Sequence, residues 1–276
     1  MNYKIVSDSA SNVFSLPEVS FSSVPLKIRC GECEYTDTPE IDIEEMTENI
    51  HKTKEASRTS CPNVAEWVEA FSDDDDGAFG VAITSGLSGS YNAAEQAKEI
   101  SSEEKKKPVH IFDTLSAGPE MRLIIEKLSE LIRGGEVFSD IVSKVNDYMK
   151  RTRLLFSLES LSNFAKNGRV SPAVAKLTGL LGIRIVGRAS DKGTLEPLHK
   201  ARGSEKCITT LIKEMFESGY KGGKVRIAHC FNLPAAEKIR EKLLSAFPKC
   251  DILIEKCGAL CSFYAERGGV LVGYEV

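Results

Sequence analysis

Short apolar, β-branched runs punctuate the chain at Lys4-Ile5-Val6, from Phe79 to Thr84 and from Val109 to Phe112, with helical patterns between and after them. This alternation constrains the fold more than any other feature. A strand followed by an amphipathic helix and then another strand builds parallel strands joined by crossover helices. The stretch from about Pro119 to Ile132 places Met121, Leu123, Ile124, Leu128 and Leu131 near one helical face, and Gly134-Gly135 ends it.

The pattern changes around Arg151 to Ser157. Strand-like Ile183 to Val186, the turn signal Asp191-Lys192-Gly193 and the run Thr194-Leu195-Glu196 together predict a hairpin. A helix opened by Ser204, a strand from Val225 to His229, a helix from Pro234 to Leu244 and strands at Ile252 to Ile254 and Val270 to Tyr274 complete the chain. At 276 residues the chain exceeds the ~100–200 usual for one domain. The expected fold is therefore α/β in two domains. A Rossmann-like parallel-sheet domain covers residues 1–150, a mixed α/β domain with antiparallel elements covers 151–276, and a ligand site lies between them. The run Asp73 to Asp76 reads as a solvated loop, since four like charges repel and stay hydrated.

A net charge of −4 gives no general attraction to phosphate backbones, so nucleic acid is not an expected partner. The N-terminus reaches Ser7 and Asp8 too soon to supply the apolar core of a signal peptide, and no apolar run approaches the ~20 residues of a membrane span. A cytoplasmic protein is expected. Its eight cysteines then read as reduced thiols, with Cys207 and Cys230 serving as small buried hydrophobes.

Three segments carry most of the functional signal: Ser7-Asp8-Ser9-Ala10-Ser11-Asn12, Thr59-Ser60-Cys61-Pro62-Asn63, and Thr84-Ser85-Gly86-Leu87-Ser88-Gly89-Ser90-Tyr91. The first and third each follow a predicted strand and enter a predicted helix, which puts them at the carboxyl edge of a parallel sheet, where open α/β folds bind ligands. In the third, Gly86 and Gly89 allow close backbone approach, and a helix beginning near Ser88 offers free N–H groups and a positive dipole end to an anion. Any one such segment alone reads first as a helix cap. Three of them, two at strand ends of one sheet, point to a site.

The phosphate-loop and dinucleotide fingerprints do not occur, and Gly86-Leu87-Ser88-Gly89 misses the spacing of a nucleophile elbow. A serine-dependent hydrolase or transferase using Ser88, with His51, His110, His199 or His229 as base, is the rival reading. Cys30-Gly31-Glu32-Cys33 sits between β-like runs and reads as a hairpin tip, with a thiol sensor as its functional alternative; no metal site is expected. Asn167-Gly168-Arg169-Val170-Ser171 reads as a polar turn whose Arg169 can meet an anion or a partner protein.

In their order and spacing these segments resemble the DegV family, whose members are the fatty-acid-binding subunits of bacterial fatty acid kinase. The resemblance runs nearly end to end. It rests on Ser7-Asp8-Ser9, Val24-Pro25-Leu26, Thr59-Ser60-Cys61-Pro62-Asn63, Ser85 to Ser90, Asn167-Gly168-Arg169-Val170 and Leu198 to Gly203. It implies a non-catalytic lipid-binding protein that holds a long-chain fatty acid, or a related amphiphile, between two domains and presents its carboxylate to an ATP-dependent kinase subunit. No cofactor other than the bound lipid is implied, and peripheral membrane contact for ligand exchange is compatible with the role. By position the head group would meet Thr59, Ser60 and Ser88, with Ser9, Ser85, Gly86 and Gly89 nearby, and Arg169 would face the kinase. One departure stands out. Tyr264 falls where the family carries a carboxylate-binding His, within Ser262-Phe263-Tyr264-Ala265-Glu266-Arg267-Gly268, and Glu266 adds a negative charge. A phenol donates one hydrogen bond but cannot become cationic.

Overall fold

In the computed structural model, residues 2–53, 57–176 and 182–276 are described. The first half of the chain contributes seven strands: β1 (Tyr3–Asp8), β2 (Ser20–Val24), β3 (Lys27–Cys30), β4 (Cys33–Thr36), β5 (Arg58–Ser60), β6 (Gly77–Ala82) and β7 (Val109–Asp113). Its helices are α1 (Ile43–Lys52), α2 (Val64–Ala70), α3 (Ser90–Lys105), α4 (Pro119–Arg133) and α5 (Phe138–Met149). Strands β2-β1-β6-β7 form an all-parallel sheet, and β4-β3-β5 form a small antiparallel one beside it. Every residue of β1 and β6 is buried, as central parallel strands covered on both faces must be.

The second half supplies β8 (Thr152–Leu158), β9 (Ile183–Ala189), β10 (Leu195–Arg202), β11 (Val225–His229), β12 (Ile252–Lys256) and β13 (Val270–Glu275). These form one sheet in the order β10-β9-β8-β13-β11-β12, antiparallel except for the β11–β12 pair. Its helices are α6 (Ser162–Lys166), α7 (Pro172–Ala175), α8 (Ser204–Glu217), α9 (Leu233–Ala246) and α10 (Ala259–Ala265). The expected α/β architecture, with a parallel sheet and a separate mixed sheet, is the one observed. The predicted hairpin at Asp191-Lys192-Gly193 joins β9 to β10, and Cys30 pairs with Cys33 at the tip joining β3 to β4.

Helix α4 explains how the two sheets are held together. Met121, Ile124, Ile125 and Leu128 pack into the core of the parallel sheet. From the same helix, Arg122 pairs with Glu255 and Glu126 with Arg226, both on strands of the mixed sheet. A helix lying between two sheets must satisfy both, so α4 buries more than the single apolar stripe its periodicity predicts, including Pro119 and Glu120. The buried Glu120 accepts a hydrogen bond from Thr152 Oγ1 at 2.8 Å, at the start of β8.

Three local expectations are corrected. The Asp73 to Asp76 run is not simply solvated: Asp73 meets the buried ammonium of Lys4, and Asp76 accepts the backbone N–H of Asn2 at 2.6 Å. The Lys4 hydrogen bond holds the Asp73 carboxyl below its ordinary range, because a buried ammonium needs a counter-charge. The segment after β1 enters only a 3₁₀ turn over Ser9–Ser11, closed by Asn12 in the left-handed region at φ 59°. Helix α3 likewise starts at Ser90 rather than near Ser88, so Ser88 belongs to the loop that leads into it.

Candidate functional site

A cavity of about 280 Å³ lies between the two sheets, close to the ~300–1,000 Å³ common for ligand pockets. Its wall is predominantly apolar: β8 contributes Leu154, Phe156 and Leu158, β13 contributes Leu271, and the first half of the chain contributes Leu26 and Ile83. Polar groups gather where β5, the loop before α3, the turn after α6 and α10 converge, bringing Thr59, Ser60, Ser88, Arg169 and Tyr264 onto the wall.

Each of these side chains is held by local structure. Thr59 and Ser60 sit at the end of β5, which is tied into the small sheet by β3. Thr59 Oγ1 lies 2.7 Å from the Tyr264 hydroxyl, and Phe164 and Phe263 flank that ring at centroid distances of 4.6 and 4.8 Å. Burial pushes the Tyr264 phenol up, against the opposing effects of the Thr59 hydrogen bond and the nearby Arg169 charge. The phenol therefore stays neutral and keeps a proton to share. Ser88 Oγ accepts from Ser90 N–H at 3.2 Å, leaving its own proton available to the cavity.

Arg169 is half-buried. Its Nε donates to the Leu87 carbonyl at 3.0 Å, joining the turn after α6 to the loop that carries Ser88. Asn167 Nδ2 donates to the Ser57 carbonyl at 3.2 Å, just before β5. A third clasp lies at the β9–β10 tip, where Thr84 Oγ1 donates to the Gly193 carbonyl at 2.9 Å. Glu266 turns away from the polar end and accepts from Ser160 Oγ at 2.7 Å, so the charge added near the family's His position is spent on the start of α6.

Of the expected site residues, the fold brings Thr59, Ser60, Ser88, Gly89, Tyr264 and Arg169 to the cavity and leaves Ser9, Ser85 and Gly86 off its wall. Ser9 is fully buried, and its Oγ accepts from Leu26 N–H at 3.0 Å. Ser85 is exposed and donates its N–H to Asp113 Oδ1 at 3.1 Å. Gly86 packs against the Lys192 carbonyl at the β9–β10 tip. None of the four histidines is on the wall, and His199 is engaged with Glu214 at 2.6 Å. Among the described residues, no group of three or more His, Cys, Asp or Glu is placed to hold a metal ion.

Two buried carboxylates brace the site from behind: Asp8, within the first hydroxyl-rich segment, and Asp37, which no motif marks. Asp8 Oδ2 accepts from Ile83 N–H at 2.9 Å and from Ser90 Oγ at 2.7 Å, anchoring both ends of the Thr84–Gly89 loop. Asp37 accepts from Ala259 N–H at 2.7 Å and Leu260 N–H at 3.2 Å, seating the first turn of the helix that carries Tyr264. Burial pushes the Asp8 carboxyl up to about 7 and the Asp37 carboxyl up to about 6, while the hydrogen bonds they accept oppose that rise. The folded protein thus holds the Asp8 proton more tightly than the unfolded chain does. The stability this group contributes is full below its unfolded pKa and is lost as pH rises through about 7. In thermal melts from about pH 5 to 8, the melting temperature of the native protein is expected to fall, and that of Asp8→Asn to fall less, by an amount equivalent to more than ~1 kcal/mol. Superimposable pH profiles would show that Asp8 does not titrate in this range.

The comparisons with known proteins agree with this geometry. A family model described as "Uncharacterised protein, DegV family" matches residues 2–275. A DegV domain-containing protein of Streptococcus pneumoniae is 41% identical over 284 residues, covering 100% of both chains. The crystal structure of the Streptococcus pneumoniae fatty acid kinase (Fak) B3 protein loaded with linoleic acid superposes with a TM-score of 0.98, at 40% identity over 100% of both chains. That of a DegV family protein from Eubacterium eligens loaded with heptadecanoic acid superposes at 0.96, with 41% identity over 99% of both chains. Matched end to end by the family model and by relatives of this identity, the chain belongs to the DegV family.

Proposed function

We propose that this protein binds a long-chain fatty acid in the cavity between its sheets and presents the carboxylate to a partner kinase, without performing the chemistry itself. The observation that carries this reading is a predominantly apolar cavity on whose wall Thr59, Ser60, Ser88, Arg169 and Tyr264 gather, a lining that suits an amphiphile with one head and one tail. Two relatives at 40% and 41% identity, which superpose over nearly the whole chain, were crystallised with fatty acids. A tail of about 16 carbons at ~0.8 kcal/mol per buried methylene supplies the affinity, and the hydroxyls fix the head.

In this reading the carboxylate rests on Ser88, Ser60 and the Thr59–Tyr264 pair, with Arg169 supplying positive charge beside it. Residues 1–150 carry most of the head-group loops, and residues 151–276 contribute much of the acyl wall. An ATP-dependent fatty acid kinase subunit is the partner, approaching the polar end, and a cytoplasmic location with peripheral membrane contact for loading is consistent with that role. Among the described residues, no helix is long and apolar enough to cross a membrane.

Denaturing mass spectrometry of protein purified from cells is expected to release a stoichiometric fatty acid, and added fatty acid should raise the melting temperature of stripped protein. Finding no amphiphile and no thermal shift would refute the proposal. Ser88→Ala should weaken retention several-fold while leaving the fold intact, since the hydroxyl's role as a local cap is worth only ~1 kcal/mol. Hydrolytic turnover of an acyl or phosphoryl substrate that disappears with Ser88→Ala would favour a serine enzyme instead.

A further inference from the structure

The floor of the cavity holds a feature that the head-group chemistry does not require. Along β8, the alternating residues Leu154, Phe156 and Leu158 all face the cavity. At the level of Phe156 the neighbours across the sheet are Gly187 on β9 and Leu271 on β13. On the same face of β9, Ile185 and Ala189 flank Gly187, so at that point alone the strand has no side chain. The Phe156 ring occupies the vacant space. A Cβ built on Gly187 would stand 2.4 Å from Phe156 Cζ and 2.6 Å from its Cε2. The ring therefore lies down across bare backbone instead of standing up from the sheet.

The other side of Gly187 is closed. The same Cβ would stand 2.6 Å from the Glu196 carbonyl oxygen, part of the β9–β10 ladder. A side chain at position 187 would displace the ring, which rotates about its own χ angles, and would also press on the hydrogen-bonded backbone of β10, so Gly187→Ala costs stability besides moving the ring. Leu271 fills the far side of the ring on the sheet, so the ring's free direction is upward into the cavity.

We propose that Phe156 and Gly187 together gauge the acyl chain: the reclined ring sets the floor height, and so the length or bulk of tail the cavity accepts. This rests on the fatty-acid reading above. Position 187 decides whether the ring lies flat, and position 156 decides how much volume it takes. The two positions act in opposite directions. Gly187→Ala lifts the ring and shortens the accepted chain, whereas Phe156→Ala lowers the floor and admits a longer one.

The test loads stripped native, Gly187→Ala, Phe156→Ala and doubly substituted proteins from an equimolar mixture of saturated fatty acids of about twelve to twenty carbons. Bound chains are then counted by denaturing mass spectrometry. The native distribution should move towards shorter chains in Gly187→Ala and longer chains in Phe156→Ala, by about fourfold in relative occupancy per methylene. The shortening should vanish in the double variant, because without the ring there is nothing for the new methyl to lift. Fully loaded variants that keep the native distribution would overturn the gauge and leave fatty-acid binding standing. Native protein that takes up no fatty acid at all would overturn both. Where Gly187→Ala fails to fold, Phe156→Ala and Phe156→Leu decide alone: a shift towards longer chains supports the gauge, and an unchanged distribution refutes it.

Discussion

Asp37→Ala is expected to cost roughly 2–3 kcal/mol and to release the ligand. The Asp37 carboxylate is buried and bonds two consecutive N–H groups at the start of α10, at 2.7 and 3.2 Å. Alanine leaves both donors without that partner, and hydrogen bonds to a carboxylate are worth about 1.5–3 kcal/mol each before the carboxylate's own burial cost is returned. For a chain of this size the melting temperature should drop by roughly 5–10 °C. Because the helix released is the one that carries Leu260, Cys261 and Tyr264 to the cavity wall, bound lipid should be lost together with stability. Asp37→Asn, which keeps one acceptor in place, should lose about half as much. A Tm within about 2 °C of native for Asp37→Ala would mean that α10 is seated by its apolar face alone.

The second large effect should come from Gly193→Ala at the β9–β10 tip. Gly193 has φ 69°, a left-handed conformation that costs a residue with a Cβ about 1–2 kcal/mol. Its Cβ would also fall 1.9 Å from Thr84 Oγ1, so the tip must move and the Thr84–Gly193 hydrogen bond must break. Together these amount to about 3 kcal/mol, and the displacement lifts the hairpin from the end of β6 along one side of the cavity. Fatty acid should then leave on the order of tenfold faster in a dilution experiment, since ~1.4 kcal/mol is worth a factor of ten. Unchanged off-rates together with lowered stability would show that the clasp is structural and does not gate the ligand.

Much of the architecture was legible along the chain. The short apolar runs at Lys4-Ile5-Val6, Phe79 and Val109 become β1, β6 and β7 because the periodicity of burial is a local property: neighbours a few residues apart decide which face an element hides. The hydroxyl motifs around Thr59 and Ser88 were likewise visible as residue types at strand ends. Periodicity places the start of α3 near Ser88, two residues before its observed start at Ser90, and the family resemblance puts Ser9 and Ser85 near the site. A run of small polar residues looks the same whether its hydroxyls face a cavity, as at Ser88, or tie one loop to another, as at Ser9.

Asp37 lay between Thr36 and Thr38 in a segment without any periodic signal, yet it seats a helix 222 residues further along. The chain by itself determined the parallel strands β1, β6 and β7, the turn between β9 and β10, the family, and the hydroxyl-bearing segments. Only the tertiary structure decided which hydroxyls face the cavity, that Tyr264 pairs with Thr59 across 205 residues, that Arg169 turns inward to Leu87, and that Phe156 reclines on Gly187. The reason is physical. Secondary structure follows from contacts within a few residues, whereas a cavity is the space left when elements distant in sequence pack against one another. Its shape and polarity are therefore properties of those long-range contacts and of no single segment.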